Sequence, residues 1–180
     1  MITDGVWRLV EEGVLTGRHK EIDPGVVVTG FAIGSAALYA GLDAMPVEFR
    51  PASYTHHPAV LSRLRRLVSI NAAVEVDLTG QVGSEAVRGR YLGAVGGQAD
   101  FSGAAARTGA RSIIALRSTA RGASTVVRAL SGPVTTARAD VDVVVTEHGT
   151  AWLRGCPIAE RAARLIAVAA PEHRDALRAP

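Results

Sequence analysis

Residues 67–78 read LVSINAAVEVDL, and residues 112–116 read SIIAL. Short apolar runs rich in Val and Ile, bounded by glycines such as Gly80 and Gly83, are strand signals rather than helix signals. The first run divides into Leu67–Asn71 and Ala73–Leu78. In a regular strand Glu75 and Asp77, two residues apart, point to the same side. Downstream, Val126–Leu130 and Val141–Thr146 read as further strands, and Ile158–Ala169 as a closing amphipathic helix. Its apolar stripe is Ile158, Ala162, Leu165, Ile166 and Ala169. Pro171 stops that helix, and His173–Ala179 forms a short helical tail. Upstream, Ile2–Glu12 and Pro58–Arg66 read as helices and Val47–Arg50 as a short strand. Strands and helices are interleaved throughout, which predicts an α/β domain with a mixed, partly parallel sheet. No repeat or linker interrupts the chain, so residues 1–180 read as one undivided domain.

Composition narrows the function classes. A chain of 180 residues is long enough to bury roughly 70% of its unfolded surface without a metal or disulfide staple. Aromatic residues are only 4%, so the core must rest on Val, Leu, Ile and Ala. The net charge of +3 comes almost wholly from arginine, interspersed with acids. The densest basic stretch, Arg63, Arg65 and Arg66, has no aromatic neighbours to stack bases, which argues for a solvated face and against nucleic acid. Pro24–Leu42 carries no charge and is long enough to span a membrane, but its glycines and Val26–Phe31 predict a buried strand, a glycine turn and a short helix, Ser35–Leu42. With one cysteine, Cys156, no disulfide forms within the chain, and a cytoplasmic location is expected. Met1–Val10 has no basic stretch followed by an apolar one, so it is not a signal peptide.

The chemistry-bearing residues are few. The histidines form no HExxH motif and there is no cysteine pair, so no metal site is expected. His56 and His57 precede Pro58 in a turn. There is no G-x-S-x-G elbow, and Cys156 reads as a small residue at a helix entry. Residues 93–98, Gly-Ala-Val-Gly-Gly-Gln, do not match a dinucleotide fingerprint. Even so, paired glycines expose backbone N–H groups and admit a ligand closely. With Gln98, Asp100 and Phe101 following, this loop is the most site-like element; on local evidence it serves equally as a tight structural turn.

Three segments in order, 69–82 (SINAAVEVDLTGQV), 93–101 (GAVGGQADF) and 141–149 (VDVVVTEHG) followed by Leu153-Arg154-Gly155, resemble successive blocks of the acetyl-CoA hydrolase/transferase family, which includes 4-hydroxybutyrate CoA-transferases. Ser112–Leu116 with Ser118-Thr119-Ala120, and Pro133–Arg138, fall between them in the expected order. The departures are Arg117 in place of a usual proline, Thr125 in place of an arginine, and Trp152 in place of an acid.

The resemblance implies a class I CoA-transferase (NagB/RpiA/CoA-transferase-like) fold and two related halves with the active site between them. In such enzymes a glutamate attacks an acyl-CoA thioester, and CoA returns to give a glutamyl-CoA thioester that a second carboxylate then takes over. The family's nucleophile lies in a His-Ser-Glu or His-Thr-Glu segment directly before a stretch like Met1–Gly5, so this chain is expected to be the carboxyl-terminal part, acting with an amino-terminal half. The resemblance places Asn71 near the thioester and Glu147 near the acyl or carboxylate pocket. It assigns Val95, Gly96, Gly97, Gln98, Asp100 and Phe101 to CoA, with the Gly96-Gly97 backbone suited to an oxyanion or the pantetheine arm. Glu75, Glu85 and Glu147 are the carboxylates that could replace the nucleophile, and a structural or auxiliary role is expected for each. Coenzyme A and acyl-CoA are expected as substrates with a small carboxylate, and no resident cofactor; homo-oligomerisation is left open. The second reading is a non-catalytic module that binds CoA or another nucleotide, or pairs with a partner subunit.

Overall fold

A computed structural model describes residues 1–179. The chain resolves into two compact units, Met1–Arg66 and Leu67–Pro180.

In the first unit, helix α1 (Asp4–Glu11) starts from extended Thr3, and strand β1 (Val27–Thr29) pairs parallel with β2 (Val47–Phe49). The crossover between the two strands carries helix α2 (Ala36–Gly41), whose N-cap Ser35 accepts a hydrogen bond from the Leu38 amide at 3.2 Å. Asp4 fixes that cap, accepting from the Ser35 hydroxyl at 2.6 Å. Those Ser35 bonds hold the Asp4 carboxyl below its ordinary range. The uncharged stretch 24–42 is therefore a strand, a turn and a short helix. Among the described residues no helix is long and apolar enough to cross a membrane. Two short helices, α3 (Ala52–Thr55) and α4 (Pro58–Leu61), end the unit. The helix expected over 58–66 is only one turn long: beyond Leu61 the Arg63 and Leu64 amides bond three residues back, to the Val60 and Leu61 carbonyls, so the chain tightens out of the α-helix.

The second unit is built on a four-stranded sheet in the order β13-β12-β8-β3. Strands β3 (Val68–Ala72), β8 (Arg111–Ala115) and β12 (Val143–Thr146) run parallel, and β13 (Gly149–Trp152) returns antiparallel to β12. A second sheet, β11-β4-β5, joins β4 (Glu75–Asp77), β5 (Val82–Gly83) and β11 (Val126–Val127). Two small hairpins complete the strands: β6 (Ala86–Val87) with β7 (Arg90–Tyr91), and β9 (Thr119–Ala120) with β10 (Ala123–Ser124). Helix α5 (Gln98–Thr108) packs on β3 and β8, and α6 (Ile158–Val168) on β12 and β13; α7 (Arg174–Arg178) is the tail. The core is aliphatic, as the composition requires: Val76, Val82, Ile114, Val126, Val144, Leu153, Leu165 and Leu177 are central members.

Residues 98–108, to which the sequence pattern assigns no element, form helix α5, so Gln98, Asp100 and Phe101 lie in its first turn. One expectation needs correction. On α6, Ile158 is 48% exposed, and Arg161 takes a buried place on the packed face. Its guanidinium reaches three backbone carbonyls, donating to Arg138 at 2.9 Å, Thr79 at 3.2 Å and Cys156 at 3.3 Å. At the opposite edge of the sheet from the strand C-termini, buried Asp142 bridges Arg111 (2.8 Å) and Arg154 (3.4 Å), with Arg111 over the Trp152 ring.

Candidate functional site

In open α/β sheets ligands bind beyond the carboxyl ends of the parallel strands. Here Ala72, Ala115 and Val145 are in register at that edge, so the residues just beyond them are the first to inspect.

Glu147 follows β12 directly. It is the first residue of a two-residue connection, since Thr146 pairs with Gly149. Its exposed carboxylate accepts from the Ser118 amide at 2.9 Å and the Ser118 hydroxyl at 2.8 Å. The Ser118 amide, the Glu147 amide, the Ser118 hydroxyl and nearby His148 together pull its pKa down to about 2. Glu147 is thus an anion at any working pH, and an acceptor only.

Residues 93–97 lead to the N-terminus of α5, with Gly97 at the cap. Gln98 ties this point to the end of β3: its Oε1 accepts from the Ser84 hydroxyl at 2.7 Å, and that hydroxyl lies 3.5 Å from the Ala72 carbonyl. Gln98 is buried, and its Nε2 has no protein acceptor. None of Gly93, Gly96 and Gly97 has a positive φ, and a Cβ added at Gly93 or Gly96 would meet nothing within 4 Å. Neither backbone conformation nor packing requires those two glycines; their lack of side chains keeps open surface beside exposed Val95. Asp100 is exposed, and the Phe101 amide donates to the Gly97 carbonyl at 3.1 Å.

Asn71, the penultimate residue of β3, is half-buried under α5. Its Nδ2 donates to Ser69 Oγ at 2.8 Å and reaches Ser102 Oγ at 3.5 Å, which orients the amide. β8 separates β3 from β12, so Asn71 and Glu147 stand on strands roughly 10 Å apart along the same edge.

The other carboxylates are committed to structure. Glu75 is buried and accepts from the Ser131 amide and hydroxyl, the latter at 2.9 Å. Glu85 is buried against the Thr135 hydroxyl at 3.0 Å. Asp77 accepts from Thr79 and Gln81 and closes the β4–β5 turn. Among the described residues no group of three or more His, Cys, Asp and Glu is arranged to hold a metal. A groove of about 560 Å³ lined by Leu78, Ile166, Leu177, Arg128 and Arg178 lies against α6 and α7. Its arginines are already engaged, Arg128 with the Leu177 and Ala179 carbonyls and Arg178 with Asp175, so it offers no reacting group.

Ser118, Ser84 and Thr125 escaped the sequence reading as site residues. The one signal was position: each hydroxyl sits at a strand end, Ser84 after β5, Ser118 before β9 and Thr125 between β10 and β11.

The comparisons with known proteins agree with this architecture. Residues 34–180 match the acetyl-CoA hydrolase/transferase C-terminal domain. A 4-hydroxybutyrate coenzyme A transferase of Clostridium kluyveri is 41% identical over 183 residues, covering 98% of this chain and 43% of that protein. The crystal structure of RipA from Yersinia pestis superimposes with a TM-score of 0.89 at 39% identity, covering 98% of this chain and 41% of that one. A 4-hydroxybutyrate CoA-transferase of Porphyromonas gingivalis gives 0.82 at 38% identity, with 98% and 42% coverage. The chain spans about two fifths of the length of these relatives. Ordered motifs, fold and similarity over nearly the whole chain lead to one conclusion: the chain belongs to the acetyl-CoA hydrolase/transferase family, in which it corresponds to the C-terminal domain.

Proposed function

We propose that this chain is the CoA-facing part of an acyl-CoA:carboxylate CoA-transferase or acetyl-CoA hydrolase. The observation that carries this is the loop over 93–97: Gly93 and Gly96, which the fold does not need, at the carboxyl edge of a parallel sheet, opening onto a helix N-terminus. Backbone N–H groups of residues 94–97 suit the pantetheine amide carbonyls or the oxyanion of a tetrahedral intermediate. Asn71, held by Ser69 and Ser102, is a second polar group toward the thioester. Glu147 is an auxiliary acceptor; its low basicity suits it poorly to nucleophilic attack.

Glu75 and Glu85 are buried and hydrogen-bonded, so we assign the covalent step to a glutamate outside these 180 residues, as the resemblance implies. That carboxylate adds to the acyl-CoA carbonyl and expels CoA thiolate, leaving a mixed anhydride. The thiolate then attacks the glutamyl carbonyl and releases the acyl group as a carboxylate. A second carboxylate reverses the sequence, and water in its place gives hydrolysis. CoA is a substrate in this scheme, the amino-terminal half is the partner, and the compartment is the cytoplasm.

Calorimetric titration with acetyl-CoA, with ADP as control, tests the proposal. Expected is binding of acetyl-CoA well beyond ADP, abolished by Gly97→Val, a substitution that the negative φ of Gly97 permits. Equal binding of acetyl-CoA and ADP, or retention of acetyl-CoA by the variant, would overturn it.

A further inference from the structure

Glu147 is held from outside its own hairpin, by a residue 29 positions away that lies beyond the end of the neighbouring strand β8. Ser118 is 1% exposed, and its own position is over-determined. The Leu116 amide extends the β8–β12 ladder by donating to the Val145 carbonyl at 3.0 Å. On the other side, Thr125 closes the β9–β10 hairpin: its amide donates to the Ser118 carbonyl at 3.0 Å, and its hydroxyl to the Arg117 carbonyl at 2.6 Å. The two donors of Ser118 therefore meet Glu147 from a fixed frame, one on each carboxylate oxygen. An ionised carboxylate has about four acceptor positions, so the two donors of Ser118 leave acceptor capacity over, and it faces solvent at the carboxyl edge of the sheet.

We infer that Ser118 is a positioning residue: its amide and hydroxyl lock Glu147 in one orientation so that the remaining acceptor site receives a hydrogen-bond donor of the bound acyl-CoA thioester, an amide N–H of its pantetheine arm or a hydroxyl of its acyl group. An anion so held repels the carboxylate acceptor at that spot, so the site sorts donors from anions. Ser118 touches no substrate; it acts through Glu147, and the inference rests on the CoA reading above.

The test is a cycle of Ser118→Ala, Glu147→Gln and the double variant in the full 180-residue chain. Two measurements are made on each protein: acetyl-CoA affinity by calorimetry, and, where Glu147 is present, the side-chain carboxyl titration by carbon-13 NMR. In Ser118→Ala the Glu147 midpoint is expected to move up from about 2 by roughly one unit, because one of its donors is gone. Each single variant is expected to lower acetyl-CoA affinity by about 3- to 10-fold. The double variant should be no worse than the weaker single one, since residues that act through one contact are not additive. An unmoved Glu147 midpoint in Ser118→Ala overturns the positioning role. Additive losses in the double variant overturn it as well, since Ser118 would then act independently. If the wild-type chain shows the midpoint near 2 but no acetyl-CoA binding, the CoA reading fails and the ligand-facing role goes with it, while the Ser118–Glu147 contact stands. The two failures are thereby told apart.

Discussion

At the residue scale, Glu147 and Gly96 show the two ways a site residue can be recognised. Glu147 carries an electrostatic mark: donors depress its pKa to about 2, so its contribution to stability is present above the ordinary carboxylate range and fades as the pH falls toward 2. Its charge therefore does not change between pH 5 and 8. Gly96 is marked by an absence of structural need. Its φ is not positive and a Cβ there meets nothing, so Gly96→Ala should leave stability unchanged or raise it by about 0.4–1 kcal/mol through the unfolded chain. The same methyl group enters the space a ligand would use, so acetyl-CoA affinity should fall. Urea unfolding and calorimetry on one variant check both signs; a loss of stability would mean the loop is a structural turn after all. Glu147 was legible because it ends a long apolar run in a recognisable block. Its partner Ser118 was not, since a contact across 29 residues leaves no local pattern.

At the element scale, periodicity revealed what large apolar side chains build and missed what small ones build. Strands β3, β8 and β12 were visible through Val and Ile. Helix α5 was not, because its buried positions are Gln98, Ser102, Gly103, Ala104 and Ala105, which form no large apolar stripe. Its end signals, Gly109 in the left-handed conformation and Arg107 in the last turn, are plain once the helix is known. Helix α6 showed the opposite failure: its stripe was drawn through Ile158, whereas buried Arg161 joins it to the β4–β5 turn and to the segment before β12. Removing that guanidinium strips three carbonyls of their donor, and Gly80 is what lets it come so close, since a Cβ there would lie 2.9 Å from Arg161. Arg161→Ala should therefore cost about 2–4 kcal/mol, read as a lower urea midpoint. A change under about 0.5 kcal/mol, the range of ordinary surface substitutions, would show that the three bonds are dispensable.

At the scale of the whole molecule, the recognised blocks all fall beyond residue 68, and no linker-like composition marks the passage from one compact unit to the other near Arg66. The two units differ in what holds them. Among the described residues, the first buries only Ile2, Ile22, Leu38 and Leu61 as hydrophobic side chains, and its strands are three residues long. The second owns the continuous aliphatic cluster from Val76 to Leu177 and a four-stranded sheet. Local opening free energy follows buried apolar contacts, so the units should not open together. Hydrogen exchange followed by mass spectrometry should find the amides of β1, α2 and β2 exchanging well before those of β8 and β12. Acetyl-CoA, which on the present reading binds the second unit, should slow exchange in the loop 93–97 and at the start of α5 while leaving β1 and β2 unchanged. Equal protection across both units would mean that they unfold as one cooperative body. Ligand protection confined to the first unit would place the CoA site away from the glycine loop.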